Sequence, residues 1–257
     1  MAEPVEAVRP GPRAWGLLIA TEAKLVLRDT AGIVVPLGLP VLLMVMNGLG
    51  SDGAGIPELG GLPAFDAVVV PMTMAMVLAM TGVVNMPSFL ATYRRTGVLR
   101  RLSVTPAHPW MVLAAQVVVG VAQSLIGIGL ALVVARLGFG LAAPRSPLGA
   151  VAAFALVVVA MYALGMLVAA VSPTPNSAVA IGLVGFFAIF ATGGGFGGRQ
   201  HLPEGLAAVG AHLPFGAGMD VLTACWTGVV PDAGQLIALA VSAALSGIAA
   251  AALFRWT

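Results

Sequence analysis

Four arginines in one short polar island are the residues of this sequence best placed to bind another molecule. Arg94 and Arg95 precede Gly97, Arg100 and Arg101 follow it, and no acid lies among them. Arg94 and Arg101 are seven residues apart, which is about two helical turns, so a helical island would place them on one face. Because long apolar runs flank the island, we expect it to stay in the cytoplasm and to receive a partner protein there.

The island also contains apolar residues and ends in a Thr-Pro pair. Its candidate docking residues are therefore the four arginines and Gly97 together with Leu99, Leu102, Thr105 and Pro106. Glycine commonly ends helices, so we expect a short helix that breaks at Gly97. A simpler interpretation stays open, in which the arginines serve only as a topology signal.

A second set of polar side chains lies within a long apolar run that begins at Trp110. Gln116, Gln123 and Ser124 follow helical spacing and give this run one face of small and amide side chains. These three residues are candidates for the lining of a substrate path. The other interpretation is hydrogen bonding between neighbouring helices, which is common for such residues in membranes.

Motifs that would give this chain its own catalytic, nucleotide or metal site are missing from the sequence. There is no GxxxxGK[ST], HExxH or GxSxG pattern, the three histidines have no ligand spacing, and Cys225 is the single cysteine. We therefore expect no enzymatic activity, no metal and no cofactor on this chain. The predicted span centres also lack the acid, histidine or lysine that ion-coupled carriers usually need.

The composition indicates a protein whose solvent is lipid. Of 257 residues, 60% are hydrophobic and 9% are charged, with a mean hydropathy of +1.04. A soluble domain carries about 25% charged residues, and a soluble core of this size could not hide so much apolar surface. Net charge is only +2, so the basic residues indicate contact with lipid headgroups rather than with nucleic acid.

The pattern of apolar runs predicts an all-α integral membrane protein with six transmembrane helices. An N-terminal amphipathic helix at 14–29 is expected at the cytoplasmic interface, with Trp15 on its apolar arc and Lys24 and Arg28 opposite. Glu22 and Asp29 fall on the apolar arc, so its amphipathicity is imperfect. The predicted spans are 32–49, 65–86, 110–134, 148–171, 178–192 and 233–254. Asn85-Met86-Pro87 is expected to close the second span, and a hairpin that re-enters the outer leaflet is expected before the last one.

The whole chain, 1–257, is interpreted as a single transmembrane domain. Its parts are the tail and interface helix at 1–29, spans one to five at 30–196, the coupling element at 88–107, the outer hairpin at 197–232, and the last span at 233–257. Six spans place both termini on one side, which then holds nine of the twelve Lys and Arg residues. This bias predicts that both termini are cytoplasmic, and the composition favours a bacterial cytoplasmic membrane.

Four segments resemble the membrane subunit of a type-2 ABC exporter, in the permease group that includes daunorubicin-type multidrug exporters. They are Leu27-Arg28-Asp29 before a proline-bearing span, the run from Arg95 to Pro106, the run from Ser172 to Ala178, and Leu213-Pro214-Phe215 before the last span. The run from Arg95 to Pro106 resembles the family's cytoplasmic R-x-G-x-L-x-x-L-x-x-T-P element.

This resemblance implies a homodimer, or a pair with a paralogous permease, bound to a separate ABC-type ATP-binding subunit that holds ATP and magnesium. The complex would move a lipophilic or amphiphilic substrate outward, with the island and the interface helix contacting the ATPase. An ion-coupled secondary transporter or channel without an ATPase is the alternative. One departure is that Tyr93 and Arg94 stand where the family often has a glutamate just before the arginines.

Overall fold

The computed structural model describes residues 11–51, 53–98 and 110–253, apart from the side chains of Ala31 and Val35. Most of these residues are helical, and the strands among them, β1 (Gly55–Ile56) and β2 (Leu62–Pro63), form a short antiparallel hairpin. The helices of the described residues are α1 (Pro12–Arg28), α2 (Thr30–Leu49), α3 (Phe65–Arg95), α4 (Trp110–Phe139), α5 (Pro147–Val171), α6 (Pro175–Thr192), α7 (Glu204–His212), α8 (Pro214–Thr227) and α9 (Ala233–Leu253).

Five helices of the described part are long and apolar enough to cross a membrane, namely α3, α4, α5, α6 and α9. The pair α7 and α8 is apolar enough to count as one more, but it bends by 74°, as expected of a broken span or a re-entrant hairpin. The predicted first span, 32–49, coincides with most of α2, a helix of 20 residues that contains Pro36 and Pro40. The predicted fold class, an all-α integral membrane protein, is confirmed.

Helices α1 and α2 follow each other along α4 and run in the same direction as it. Their contacts advance together along both sequences, from Trp15 with Trp110 to Gly48 with Phe139. Pro40 has no N–H to give to the carbonyl of Pro36, four residues earlier, and this carbonyl lies against Gly127 of α4. A side chain at position 127 would overlap with that oxygen, so glycine permits the close approach of the two helices.

Helix α3 is the central element, because its apolar window is far more buried than that of any other crossing helix among the described residues. It contains two π-helical segments, Phe65–Val69 and Met80–Asn85. In the second one, the N–H of Met86 bonds to the carbonyl of Thr81, five residues earlier. The next N–H in this pattern would come from Pro87, which has none. The carbonyl of Gly82 packs instead against Gly165 of α5.

The helix does not break at Asn85-Met86-Pro87, where the second span was expected to close, since α3 continues as a helix to Arg95. A proline normally breaks a helix because it lacks an N–H and its ring collides with the preceding turn. Here the π segment directly before Pro87 widens that turn, so the helix absorbs the proline. As a result, the start of the polar island is a direct extension of the most buried helix.

The last two long helices of the described part, α8 and α9, pack against α3 and α5. Helix α9 packs along α5, and α8 packs between α5 and α3. Arg145 donates hydrogen bonds to the carbonyls of Gly60, at 2.7 Å, and Thr227, at 3.1 Å. It thereby joins the β hairpin to the end of α8. The buried Asp66 accepts a hydrogen bond from the backbone N–H of Ala142, at 2.9 Å.

Candidate functional site

A buried polar cluster of three side chains lies where α1, α3 and α4 meet. Tyr93 of α3 and Gln116 of α4 both donate hydrogen bonds to the same carboxylate oxygen, Oε2 of Glu22 in α1. The Nε2 of Gln116 also lies 3.0 Å from the Tyr93 hydroxyl. Relative exposure is 4% for Glu22, 3% for Gln116 and 8% for Tyr93. We call these three residues the junction cluster.

Helical geometry explains why Glu22 points inward. On α1, Glu22 and Val26 are four residues apart and both are buried, whereas Lys24 and Arg28 are exposed. Burial raises the pKa of the Glu22 carboxyl above its usual value, because charge is costly away from water, and the bonds from Tyr93 and Gln116 partly oppose this rise. The predicted polar face with Lys24 and Arg28 is thus exposed. Glu22, on the apolar arc, faces the protein and binds Tyr93 and Gln116.

Arg94 attaches the same end of α3 to α5. Its guanidinium donates to the backbone carbonyls of Ser172, at 3.0 Å, and Ala169, at 3.1 Å. These carbonyls lie in the last turn and at the C-cap of α5, where backbone acceptors lack helical partners and the helix dipole favours a positive charge. Arg94 is therefore partly buried as an anchor, whereas its neighbour Arg95 is exposed.

Helix α3 ends directly after these arginines. The N–H groups of Thr96 and Gly97 bond back to Thr92 and Arg94, and Gly97 adopts a φ of 70°. This left-handed conformation suits glycine and ends the helix at the place where a break was expected. The other docking candidates, Leu99, Arg100, Arg101, Leu102, Thr105 and Pro106, lie outside the described residues, so their role stays a prediction.

Helix α1, the predicted interface helix, contacts α4 through its first aromatic residue. The rings of Trp15 and Trp110 lie with centroids 5.1 Å apart at an angle of 57°. Leu18 of α1 and Val98, just beyond the end of α3, pack against the same apolar cluster around Tyr93. The N-terminal helix and the start of the polar island are thus close in space, although some seventy residues separate them in the chain.

All three substrate-path candidates on α4 hydrogen-bond to other parts of the protein. Gln116 belongs to the junction cluster, and Gln123 donates to the carbonyl of Gly32. The Ser124 hydroxyl lies 2.7 Å from that of Thr81 in α3. These are the contacts of helix–helix hydrogen bonding, the second interpretation of these residues. Gln123 also lines an apolar crevice of about 260 Å³ between α1, α2 and α4, and the substrate-path role stays a prediction.

A second polar cluster, which we call the Asp220 cluster, lies between helices α8 and α9. Arg199 donates to Asp220 of α8, at 2.5 Å, and Gln235 of α9 donates to the same carboxylate oxygen, also at 2.5 Å. Asp220 thereby joins the segment after α6 to α8 and α9. The sequence predicts an outer location for both Arg199 and Asp220, but their pairing and the part of Gln235 depend on the bend between α7 and α8.

Sequence reasoning did not assign Glu22 and Tyr93 to a common site. The available signals were an acid on the apolar arc of α1 and a tyrosine where a glutamate was expected. A carboxylate does lie beside the start of the arginines, but a different helix contributes it. Among the described residues, no group of three or more His, Cys, Asp or Glu side chains could hold a metal ion.

Comparison with known proteins identifies the family. The family model described as ABC-2 type transporter matches residues 13–226, a range that runs from the start of α1 to the last residues of α8. No curated protein matches the chain. The match covers most of the sequence, and the helices form a multi-pass membrane protein. The chain therefore belongs to the ABC-2 type transporter family, whose members are the permease components of ABC transporters.

Proposed function

We propose that this chain is the permease subunit of an ATP-driven exporter that moves a lipophilic or amphiphilic substrate outward across a bacterial cytoplasmic membrane. Proteins of this family normally work with an ATP-binding subunit, and the sequence itself contains no phosphate-binding loop. The energy source would therefore be a separate ABC-type ATPase, which would hold both ATP and magnesium. The daunorubicin-type group is the proposed branch of the family.

The anchoring of the island's first arginines is the observation that carries this proposal. Tyr93 bonds to α1 and Arg94 bonds to α5, while Arg95 is exposed beside the turn at Gly97. A partner that binds the exposed arginines would therefore push on a helix end that is fastened to its neighbours. Because α3 is the most buried crossing helix of the described part, its displacement would reach the centre of the protein.

The proposed mechanism follows from this connection. Closure of two ATP-binding subunits would push the polar islands of two permeases and tilt α3 and α4 in each. A cavity between the permeases, near α2, α3 and α6, would then open outward. Such coupling requires that the ATPase bind the two states with different free energies. The second permease would be another copy of this chain or a paralogue.

The chemistry of the walls supports an apolar or amphiphilic cargo. Two crevices at the surface of α4, of about 260 Å³ and about 410 Å³, are lined almost entirely by apolar side chains. The inward-facing acids Asp66 and Asp220 are hydrogen-bonded within the protein, which does not favour the alternative of an ion-coupled carrier or channel. Membrane lipids would cover the exposed apolar faces, and the basic residues would keep both termini in the cytoplasm.

The test is purification of the permease with the ATP-binding subunit encoded beside it. We expect the two to co-purify, and we expect R100E/R101E to abolish the permease-dependent part of ATP hydrolysis while membrane insertion persists. A normal rate in that variant would contradict the docking role. Uptake of an amphiphile into ATP-free vesicles under an ion gradient would instead favour the secondary transporter, and labelling of G97C from outside intact cells would contradict the topology.

A further inference from the structure

We infer that Glu22 is a positioning residue for energy coupling, because its carboxylate fastens the interface helix α1 to the start of the polar island. This inference rests on the proposed function. In it, α1 and the cytoplasmic end of α3 move as one unit when the ATPase pushes, and α1 is thus part of the transmission path. The carboxylate binds within the protein here, where it accepts hydrogen bonds from Tyr93 and Gln116.

The apolar contacts at this junction do not by themselves hold the two elements in register. Leu18 and Val98 pack against the cluster around Tyr93, and the rings of Trp15 and Trp110 meet at a tilted angle. Apolar contact is non-directional, so such surfaces can slide past each other at low cost. A hydrogen bond depends strongly on distance and angle. The bonds from Tyr93 and Gln116 therefore define where Glu22, and with it α1, sits on α3 and α4.

The charge state of the junction argues against a purely stabilising role for Glu22. Both donors are neutral side chains, and the carboxylate is almost completely buried. A buried acid with neutral partners costs folding free energy that an apolar residue of similar size would not cost. The Gln116 amide already donates a hydrogen bond to the Tyr93 hydroxyl, at 3.0 Å, and this bond does not require Glu22. Removal of Glu22 should therefore be tolerated by the fold.

The position of the cluster explains what Glu22 contributes instead. Tyr93 directly precedes two arginines. The first, Arg94, is hydrogen-bonded to α5, and the second, Arg95, is exposed. A force applied at the arginines is thus shared between α5, through Arg94, and α1 with α4, through Tyr93. Loss of the carboxylate would leave the connection of α3 to α5 in place. Helix α1 would then no longer follow the movement of α3. The expected defect is poor coupling in a complex that still assembles.

The experiment compares four variants of the permease in lipid nanodiscs with its ATP-binding subunit. E22L should lower the permease-dependent rate of ATP hydrolysis about tenfold, a factor within the range that coupling free energies between two sites usually produce. E22Q keeps an oxygen acceptor and should stay within about twofold of wild type, and Y93F should fall between them. The matched control is T21V, a change from polar to apolar at the exposed neighbour of Glu22, which should leave the rate unchanged.

A second measurement tests the attachment without the ATPase. Spin labels are placed at L17C on α1 and T96C after α3. Leu17 is 72% exposed and accepts a label, whereas the buried Cys225 stays unlabelled. The wild-type background should give one narrow distribution of distances between the two labels. E22L should broaden that distribution and E22Q should not. Hydrolysis by E22L at the rate of T21V, or an unchanged distribution, would overturn the inference. A wild-type permease that binds no ATP-binding subunit would instead overturn the proposed function.

Discussion

Tyr93 and Arg94 are neighbours in the chain, yet they fasten the end of α3 to opposite partners. The Tyr93 hydroxyl donates to Glu22 of α1, whereas the Arg94 guanidinium donates to the carbonyls of Ala169 and Ser172 at the end of α5. Successive residues of a helix point about 100° apart, so two adjacent side chains can reach two different helices. The last turn of α3 is therefore held from both sides before the chain turns at Gly97.

The two adjacent arginines should differ in what their loss affects. R94M removes charged hydrogen bonds to the end of α5 and should lower the free energy of unfolding by about 1–3 kcal/mol. R95M changes an exposed side chain and should leave stability nearly unchanged, while it weakens binding of the ATP-binding subunit. Thermal unfolding in detergent and co-purification distinguish these effects. Equal stability of the two variants would show that Arg94 is not an anchor.

Glu22 should make stability depend on pH. Burial raises the pKa of its carboxyl above the ordinary value of 4.5, so the folded state holds this proton at pH values where the unfolded chain has lost it. The contribution of Glu22 to stability therefore falls as pH rises from about 4.5 through the raised pKa. E22Q does not titrate, so its stability relative to wild type should increase over that range.

The measurement for this prediction is the unfolding temperature of both proteins at a series of pH values. Y93F removes a bond that lowers the pKa of Glu22, so the fall in stability should extend to higher pH in that variant. A difference between E22Q and wild type that stays constant across the series would mean that the carboxyl titrates alike in both states.

The contact between Gly82 and Gly165 should not tolerate a methyl group. A Cβ at position 165 would overlap with the Gly82 carbonyl oxygen, which is backbone and cannot turn away. G165A should therefore force α3 and α5 apart and lower the free energy of unfolding by about 1–3 kcal/mol. The control is G185A in α6, where a Cβ would meet no atom within 4 Å. Comparable unfolding temperatures for the two variants would contradict this close packing.

The Asp220 cluster, formed with Arg199 and Gln235, should stabilise the bent pair α7 and α8. D220N removes the negative charge that Arg199 and Gln235 share. We expect the free energy of unfolding to fall by about 1–3 kcal/mol, because the Arg199–Asp220 pair is only partly accessible to water. E204Q, at the exposed start of α7, is the matched control. A double-mutant cycle with R199Q measures the pair itself. Strictly additive losses in that cycle would mean that the two side chains do not interact energetically.

Much of the architecture was accessible from the sequence, because length and apolarity decide whether a helix can lie in lipid. The runs that became α4, α5, α6 and α9 are long, apolar and bounded by glycine, proline or charge, so their existence was clear. The same holds for the bent pair before α9, whose two apolar runs are too short to cross separately. The resemblance of the polar island and three other segments likewise identified the family.

The tertiary structure alone decided which polar groups meet. The spacing on α1 placed Glu22 on the apolar side but could not name its partners, since Tyr93 and Gln116 lie far away in the chain. Pro87 indicated a helix end, and only the π segment before it, packed through Gly82 on Gly165, allows α3 to continue. Local sequence determines which segments prefer lipid. The partners of buried polar groups depend instead on how the helices pack, and that packing depends on residues far apart in the chain.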